Sequence, residues 1–195
     1  MLLGLASLAT AWSAYQARQW TGIQASETGR ATAARISVNR DTAAANRSLQ
    51  IDVATFIQWV NAHEEHRDAL AAFYAARFRP QLRTAFVAWL AARPFTSKSA
   101  PKTPFGLPQY RLSASARADR SELAVAAHAQ AAKDANQRAD NYMLAVVLFA
   151  SALFFAGIST KLELAGPRTT LVALGWVIFL GALVWLATLP VQLTT

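Results

Sequence analysis

The segment His63-Glu64-Glu65-His66-Arg67-Asp68 is the densest group of side chains able to hold a metal or move a proton. Zinc-protease chemistry needs two histidines four apart on one helix face, with a glutamate beside the first. Here the histidines are three apart, and the third histidine of the chain, His128, is distant in sequence. The spacing fits a solvated turn between two helices, and no metal or other cofactor is expected. Cysteine is absent, which removes disulfides, thiolate metal sites and cysteine nucleophiles. No nucleophile–base pair and no phosphate loop are visible, so the chain does not read as an enzyme.

Charge offers a different chemistry. The chain carries 19 Lys and Arg against 11 Asp and Glu, a net charge of +8. No acidic residue lies between Asp68 and Asp119, where Arg77, Arg79, Arg83, Arg93, Lys98, Lys102, Arg111 and Arg117 follow one another. The rest of the chain is neutral overall. Such a run suits anionic lipid headgroups, an acidic protein or a small anionic ligand. Near an anionic membrane each cation gains about 1 kcal/mol. The first seven of these residues are the expected contacts. The competing reading is a solvated face that offsets Glu64, Glu65 and Asp68. A nucleic-acid partner is not expected, because no binding motif accompanies the charge.

Trp12, Gln16, Trp20 and Gln24 recur every fourth residue and so share one helical face. Tyr15 adds to it. Buried Trp and Gln side chains want hydrogen-bond partners. This face is either an aromatic belt at a membrane interface or a surface that lines or seals an axis between copies of the chain.

The elements that position these groups are set by hydropathy. Tyr142–Thr160 and Thr169–Leu189 are uncharged runs of 19 and 21 residues, and about 20 apolar residues cross a bilayer as a helix. Pro190 ends the second run. Met1–Ala17 is a third uncharged run, marginal in length, with Arg18 and Trp20 as anchors at its exit. Lacking a basic residue before it, it reads as a retained span and not as a cleaved signal. No ionisable residue interrupts the spans, which speaks against an ion-coupled transporter. Small residues on the spans, such as Ala6, Thr10, Ala14, Ala152, Ala156 and Gly175, permit close helix contact within or between chains.

The predicted fold class is an all-α integral membrane protein with three transmembrane helices and a helical extramembrane domain inserted between spans one and two. The spans are 1–20, 141–160 and 169–189, with a short connection at 161–168 and a tail at 190–195. Within the 21–140 domain, Thr21–Asn46 reads as a polar helix, solvated or packed by small residues. Leu49–Ala62 shows an amphipathic pattern, Asp68–Arg79 repeats it, and Pro80 restarts it. Loop 93–112 holds Pro94, Pro101, Pro104 and Pro108 and cannot be a regular helix. It is read as a strap fixed by Phe95, Phe105, Leu107 and Tyr110, or as a strip for docking a partner. Asp119 and Glu122 look like an N-cap and its reciprocal partner, opening a helix that runs to Thr160.

Lys161 and Arg168 favour a cytoplasmic 161–168 connection, since short basic loops stay inside. The helical domain then lies outside. Arg18, Arg30, Arg35, Lys133 and Arg138 flank the spans on the domain side and pull the other way.

The stretch Ala11-Trp12-Ser13-Ala14-Tyr15-Gln16-Ala17-Arg18-Gln19-Trp20-Thr21-Gly22-Ile23-Gln24-Ala25 resembles a family of bacterial three-span membrane proteins of unknown function. So do Arg93-Pro94-Phe95 with Pro104-Phe105-Gly106-Leu107-Pro108-Gln109-Tyr110, and Ala135-Asn136-Gln137-Arg138-Ala139-Asp140 leading into Leu148–Ile158. The resemblance runs nearly end to end. It implies three spans, a helical insertion, an internal basic connection, and a natural start upstream of Met1. It implies no activity and no site residues.

The expected function is that of a structural or interaction protein of the bacterial inner membrane. It would display a basic helical domain, periplasmic by the charge rule above, to anionic lipid or a protein partner. The alternative is a homo-oligomeric, channel-like assembly with the first span at its axis.

Overall fold

A computed structural model describes residues 1–97, 99–162 and 164–192. Lys98 and Glu163 fall outside the described residues. The order of elements is α1 (Leu2–Glu64), α2 (Asp68–Ala76), α3 (Pro80–Ala91), a 3-10 turn (Pro104–Gly106), α4 (Ser113–Ser159) and α5 (Ala165–Ala187). The described residues form helices, turns and loops, with no strand among them. Two helices are long and apolar enough to cross a membrane: α4, through its apolar stretch, and α5 from Gly166. The chain divides into two compact units, residues 1–32 with 126–195, and residues 33–125.

In the first unit, the start of α1, the end of α4 and α5 share one core. Leu2 and Ala6 of α1 meet Ala145, Phe149, Ala152 and Ala156 of α4 and Phe179 and Ala182 of α5. A second cluster joins Ala17 and Trp20 to Ala135, Ala139 and Tyr142. α1 and α4 therefore run antiparallel here. In the first twenty residues of α1, buried Leu2, Ala6, Ser13, Gln16 and Trp20, with half-buried Ala9, step by four and three, and buried Ala17 flanks Gln16. That 3.5-residue period is the seam pattern of packed helices. A Cβ placed on Gly175 would touch Leu2 Cδ2 at 3.4 Å and the Ala152 carbonyl oxygen at 3.5 Å, so α5 approaches both neighbours closely. Hydroxyls inside these apolar helices bond back to their own backbone: Ser13 Oγ to Ala9 O at 2.8 Å and Ser151 Oγ to Val147 O at 2.9 Å. Large apolar residues point away from this core, among them Leu5, Leu8, Val147, Phe154, Val177 and Val184.

In the second unit, the end of α1 packs on α2 and α3 through Phe56, Trp59, Phe78, Leu82, Phe86 and Trp89. Phe56 is central. Its ring lies 5.4 Å from Trp89 and 5.5 Å from Phe105, both edge-on, an arrangement that adds to burial because ring edges and faces carry opposite charge. Loop 93–112 straps this cluster. Phe105, Leu107 and Tyr110 pack on it, the Phe95 ring lies 5.6 Å from Trp89, and Trp89 Nε1 donates to Pro101 O at 2.7 Å.

α1 ends in the turn expected at His63–Asp68. His66 has a φ of 55°. Its N–H bonds to His63 O at 3.1 Å, and the Arg67 N–H reaches Ala62 O at 2.9 Å. This paired closure terminates helices, usually around a glycine. His63 stacks on Trp59 with ring centroids 5.1 Å apart. Pro80 opens α3 at its first turn, where a missing N–H costs nothing. α4 starts at Ser113, so the expected N-cap at Asp119 is corrected. No proline or glycine separates Ser113 from Asp119, and Ala114 and Ala118 are buried, which extends the helix upstream.

Candidate functional site

The basic run leads to an acid that sequence reasoning passed over. Asp52 lies on α1 one turn before Phe56, and its side chain is 0% exposed. Arg79, the residue just before α3, grips it with two bonds: Nε to Oδ1 at 2.9 Å and Nη2 to Oδ2 at 3.2 Å. The Tyr110 hydroxyl donates to Oδ2 at 2.9 Å, and Arg79 Nη1 donates to Ser48 Oγ at 3.3 Å. With its amide turned to accept, Gln81 takes a further bond from Arg79 Nη2 at 2.6 Å. Burial, reinforced by the bond to the Asp52 carboxylate, pushes the Tyr110 hydroxyl well above the ordinary tyrosine range. A paired and multiply bonded carboxylate keeps its charge without water. With three donors on it, Asp52 is a structural anchor and not a free base.

The other basic residues divide by what they touch. The Arg77 guanidinium lies 3.4 Å over the Phe73 ring and donates to Phe73 O at 3.2 Å. Arg83 donates to Ala76 O at 2.7 Å and Phe78 O at 3.2 Å, closing the carbonyl end of α2. Arg117 pairs with Asp41 at 3.0 Å. Arg111 Nε donates to Pro108 O at 2.9 Å. Arg93 has a φ of 52° and follows the end of α3. Arg93 and Lys102 are exposed, and neither side chain has a partner among the described residues. Lys98, the remaining expected contact, lies outside the described residues.

Beside the Asp52–Arg79 pair lies a cleft of about 320 Å³, lined by Ser48, Pro80, Gln81, Thr84, Arg111, Leu112, Ser113 and Ala114. It brings together Arg111 from the loop and the first turns of α3 and α4.

The Trp/Gln face belongs to the first unit and is not uniform. Trp12 and Tyr15 are 42% and 44% exposed, whereas Gln16 and Trp20 are buried. Gln16 is doubly bonded within its own chain: Nε2 donates to Gln192 O, and the Gln192 N–H donates to Gln16 Oε1, both at 3.0 Å. Nearby, the Tyr142 hydroxyl donates to Pro190 O at 3.1 Å. Arg138 lies 4.4 Å over the Trp20 ring, while Trp20 Nε1 has no hydrogen-bond partner among the described residues. Gln24 is half-buried. Further along, His128 Nδ1 meets Glu27 Oε2 at 2.6 Å, and this bond, with weaker help from Arg30, holds the Glu27 carboxyl below its ordinary range.

Among the described residues no group of three His, Cys, Asp or Glu side chains could hold a metal ion. Comparison of the chain with protein-family models, curated proteins and solved structures returned no match.

Asp52 was missed because the stripe on α1 was read through its apolar members alone. A carboxylate four residues before Phe56 and four after Ser48 sits on that same stripe. A charge on an apolar stripe, with a long acid-free basic run downstream, is the signal that would have found it.

Proposed function

We propose that this chain is a three-span protein of the bacterial inner membrane whose helical domain, residues 21–140, presents a basic loop to anionic lipid. The observation that carries the reading is the shared core of the first unit. The apolar start of α1 is short for a span alone, yet it packs in one cluster with the two helices that are long enough to cross. Helices in lipid gain little from burying apolar surface against each other and rely on close contact through small residues. The alanines of this core and the large apolar residues facing outward fit that demand. The uncommitted cations Arg93 and Lys102, with Arg111 beside them in the same loop, supply the basic surface. The external placement of the domain rests on the basic 161–168 connection. The channel-like alternative gains nothing here, because Gln16 is satisfied by Gln192 of the same chain.

Two measurements test this. The chain has no cysteine, so single cysteines at Lys102 and Lys161 report topology with an impermeant maleimide on intact cells. Lys102→Cys should label and Lys161→Cys should not. Labelling of both from one side sinks the three-span reading, and the reverse pattern turns the domain inward. For the partner, the full chain in neutral-lipid nanodiscs should co-sediment with phosphatidylglycerol vesicles and lose this on Arg93→Glu with Lys102→Glu. Equal binding to neutral vesicles rejects it.

A further inference from the structure

The cleft beside Asp52 has an apolar side, Pro80, Leu112 and Ala114, and a polar side on which Arg111, Ser48, Ser113 and Gln81 have hydrogens to donate, while the Thr84 hydroxyl already donates to Pro80 O. Among the described residues Arg111 uses only Nε, at Pro108 O, which leaves both terminal amino groups of its guanidinium. The Ser48 oxygen accepts from Arg79, so its hydroxyl hydrogen remains to be donated. Ser113 Oγ likewise accepts from Arg117 Nη1 at 3.5 Å and keeps its hydrogen. With its oxygen turned to Arg79, the Gln81 amide presents its NH2. The backbone N–H groups of the first turns of α3 and α4 add to these, since they have no partner within their helices. Two carboxylates stand one residue back from the lining and both are already paired: Asp52, fully buried, holds Arg79 and Tyr110, and Asp41 holds Arg117. A half-enclosed space with donors on its polar side and the neighbouring acids already paired selects a ligand rich in acceptors. At about 320 Å³ it takes a small group and lies at the low end of ligand cavities.

We propose that this cleft binds a phosphate group, held by Arg111 through its terminal amino groups and by the hydroxyls of Ser48 and Ser113. This deepens the reading above and rests on it for the class of partner, an anion. The group is either the phosphate of a lipid head or that of a small soluble phosphomonoester. Guanidinium and phosphate meet in a planar two-point contact that lysine cannot copy, so Arg111→Lys is a diagnostic variant as well as Arg111→Gln.

The test uses the full chain in neutral-lipid nanodiscs with two probes, sn-glycerol 3-phosphate and vesicles containing phosphatidic acid. Wild type should bind at least one of them. Arg111→Gln should weaken that binding at least tenfold, and Arg111→Lys and Ser113→Ala should weaken it several-fold with the melting midpoint unchanged. Binding of the soluble probe assigns the cleft to a small phosphomonoester. Binding of the vesicles alone, still dependent on Ser113, assigns it to a lipid head. If the vesicles bind wild type, Arg111→Gln and Ser113→Ala equally while Arg93→Glu with Lys102→Glu abolishes binding, the cleft is rejected and the basic-surface reading stands. If the soluble probe binds through Arg111 and vesicles never bind, the cleft stands and the basic-surface reading fails. Absence of binding to either probe overturns the cleft.

Discussion

Ala6, Ala145, Ala152 and Ala182 fill in the first unit the role that Phe56, Trp59, Phe86 and Trp89 fill in the second. One set of helices is brought together by side chains small enough to let backbones approach. The other is held by rings large enough to keep them apart. Their buried polar groups differ in kind too: Ser13, Gln16 and Ser159 in the first are neutral, and Asp52 in the second is charged. Water rewards burial of aromatic area, at roughly 25 cal/mol per Å². Lipid does not, and leaves contact and hydrogen bonding to do the holding. The contrast is what two different solvents would select, which is why it bears on the membrane reading.

The sharpest way to break the comparison is at Asp52. Asp52→Ala leaves Arg79 without its partner and opens a space behind Tyr110, and should destabilise the second unit by about 3–5 kcal/mol. Chemical unfolding followed at Trp59 and Trp89 reads this, with the other four tryptophans replaced by phenylalanine. An unchanged midpoint removes the anchor role. Next in size is Ala152→Leu in the first unit, where a side chain with no exposed surface must enlarge against α1 and α5. Overpacking costs about 1–3 kcal/mol, and the same substitution at exposed Ala150 should cost nothing measurable. Equal effects at the two positions would mean that close contact is not what holds these helices.

The smallest effect separates the units by pH. Glu27 is held below its ordinary value of about 4.5, first by its bond to His128. A depressed carboxyl contributes stability above its unfolded value and loses it as pH falls through the folded one, so the first unit should weaken below about pH 4.5. Tyr110 is raised above its ordinary value of about 10, first by burial. Its contribution is complete below about pH 10 and is lost as pH rises beyond. Melting midpoints across pH should show acid sensitivity that Glu27→Gln flattens and alkaline sensitivity that Tyr110→Phe flattens. Curves that these variants leave unaltered would refute both couplings.

Much of the helical layout was legible because single residues announce it. Pro80 opens α3, the four prolines at 94–108 mark the strap, and the uncharged runs mark the ends of α4 and α5. What was not legible depended on residues with weak signatures. The 3.5-residue seam of α1 is built from Ala, Ser and Gln as much as from apolar side chains, so hydropathy did not reveal it. The early start of α4 was hidden because Asp119 and Glu122 imitate a cap within a longer helix. The turn expected at His63–Asp68 is there, but His66 closes α1 in a conformation usually left to glycine, so no residue type announced its geometry. The cleft draws on residues from 48 to 114, and no local pattern links them.

The double bond between Gln16 and the Gln192 backbone joins groups 176 residues apart. During synthesis, α1 emerges long before its partner does. Until Gln192 has been made, the Gln16 amide, destined for a fully buried site, must find other partners. The start of α1 therefore completes its hydrogen bonding only after synthesis has reached Gln192, however early its apolar contacts form.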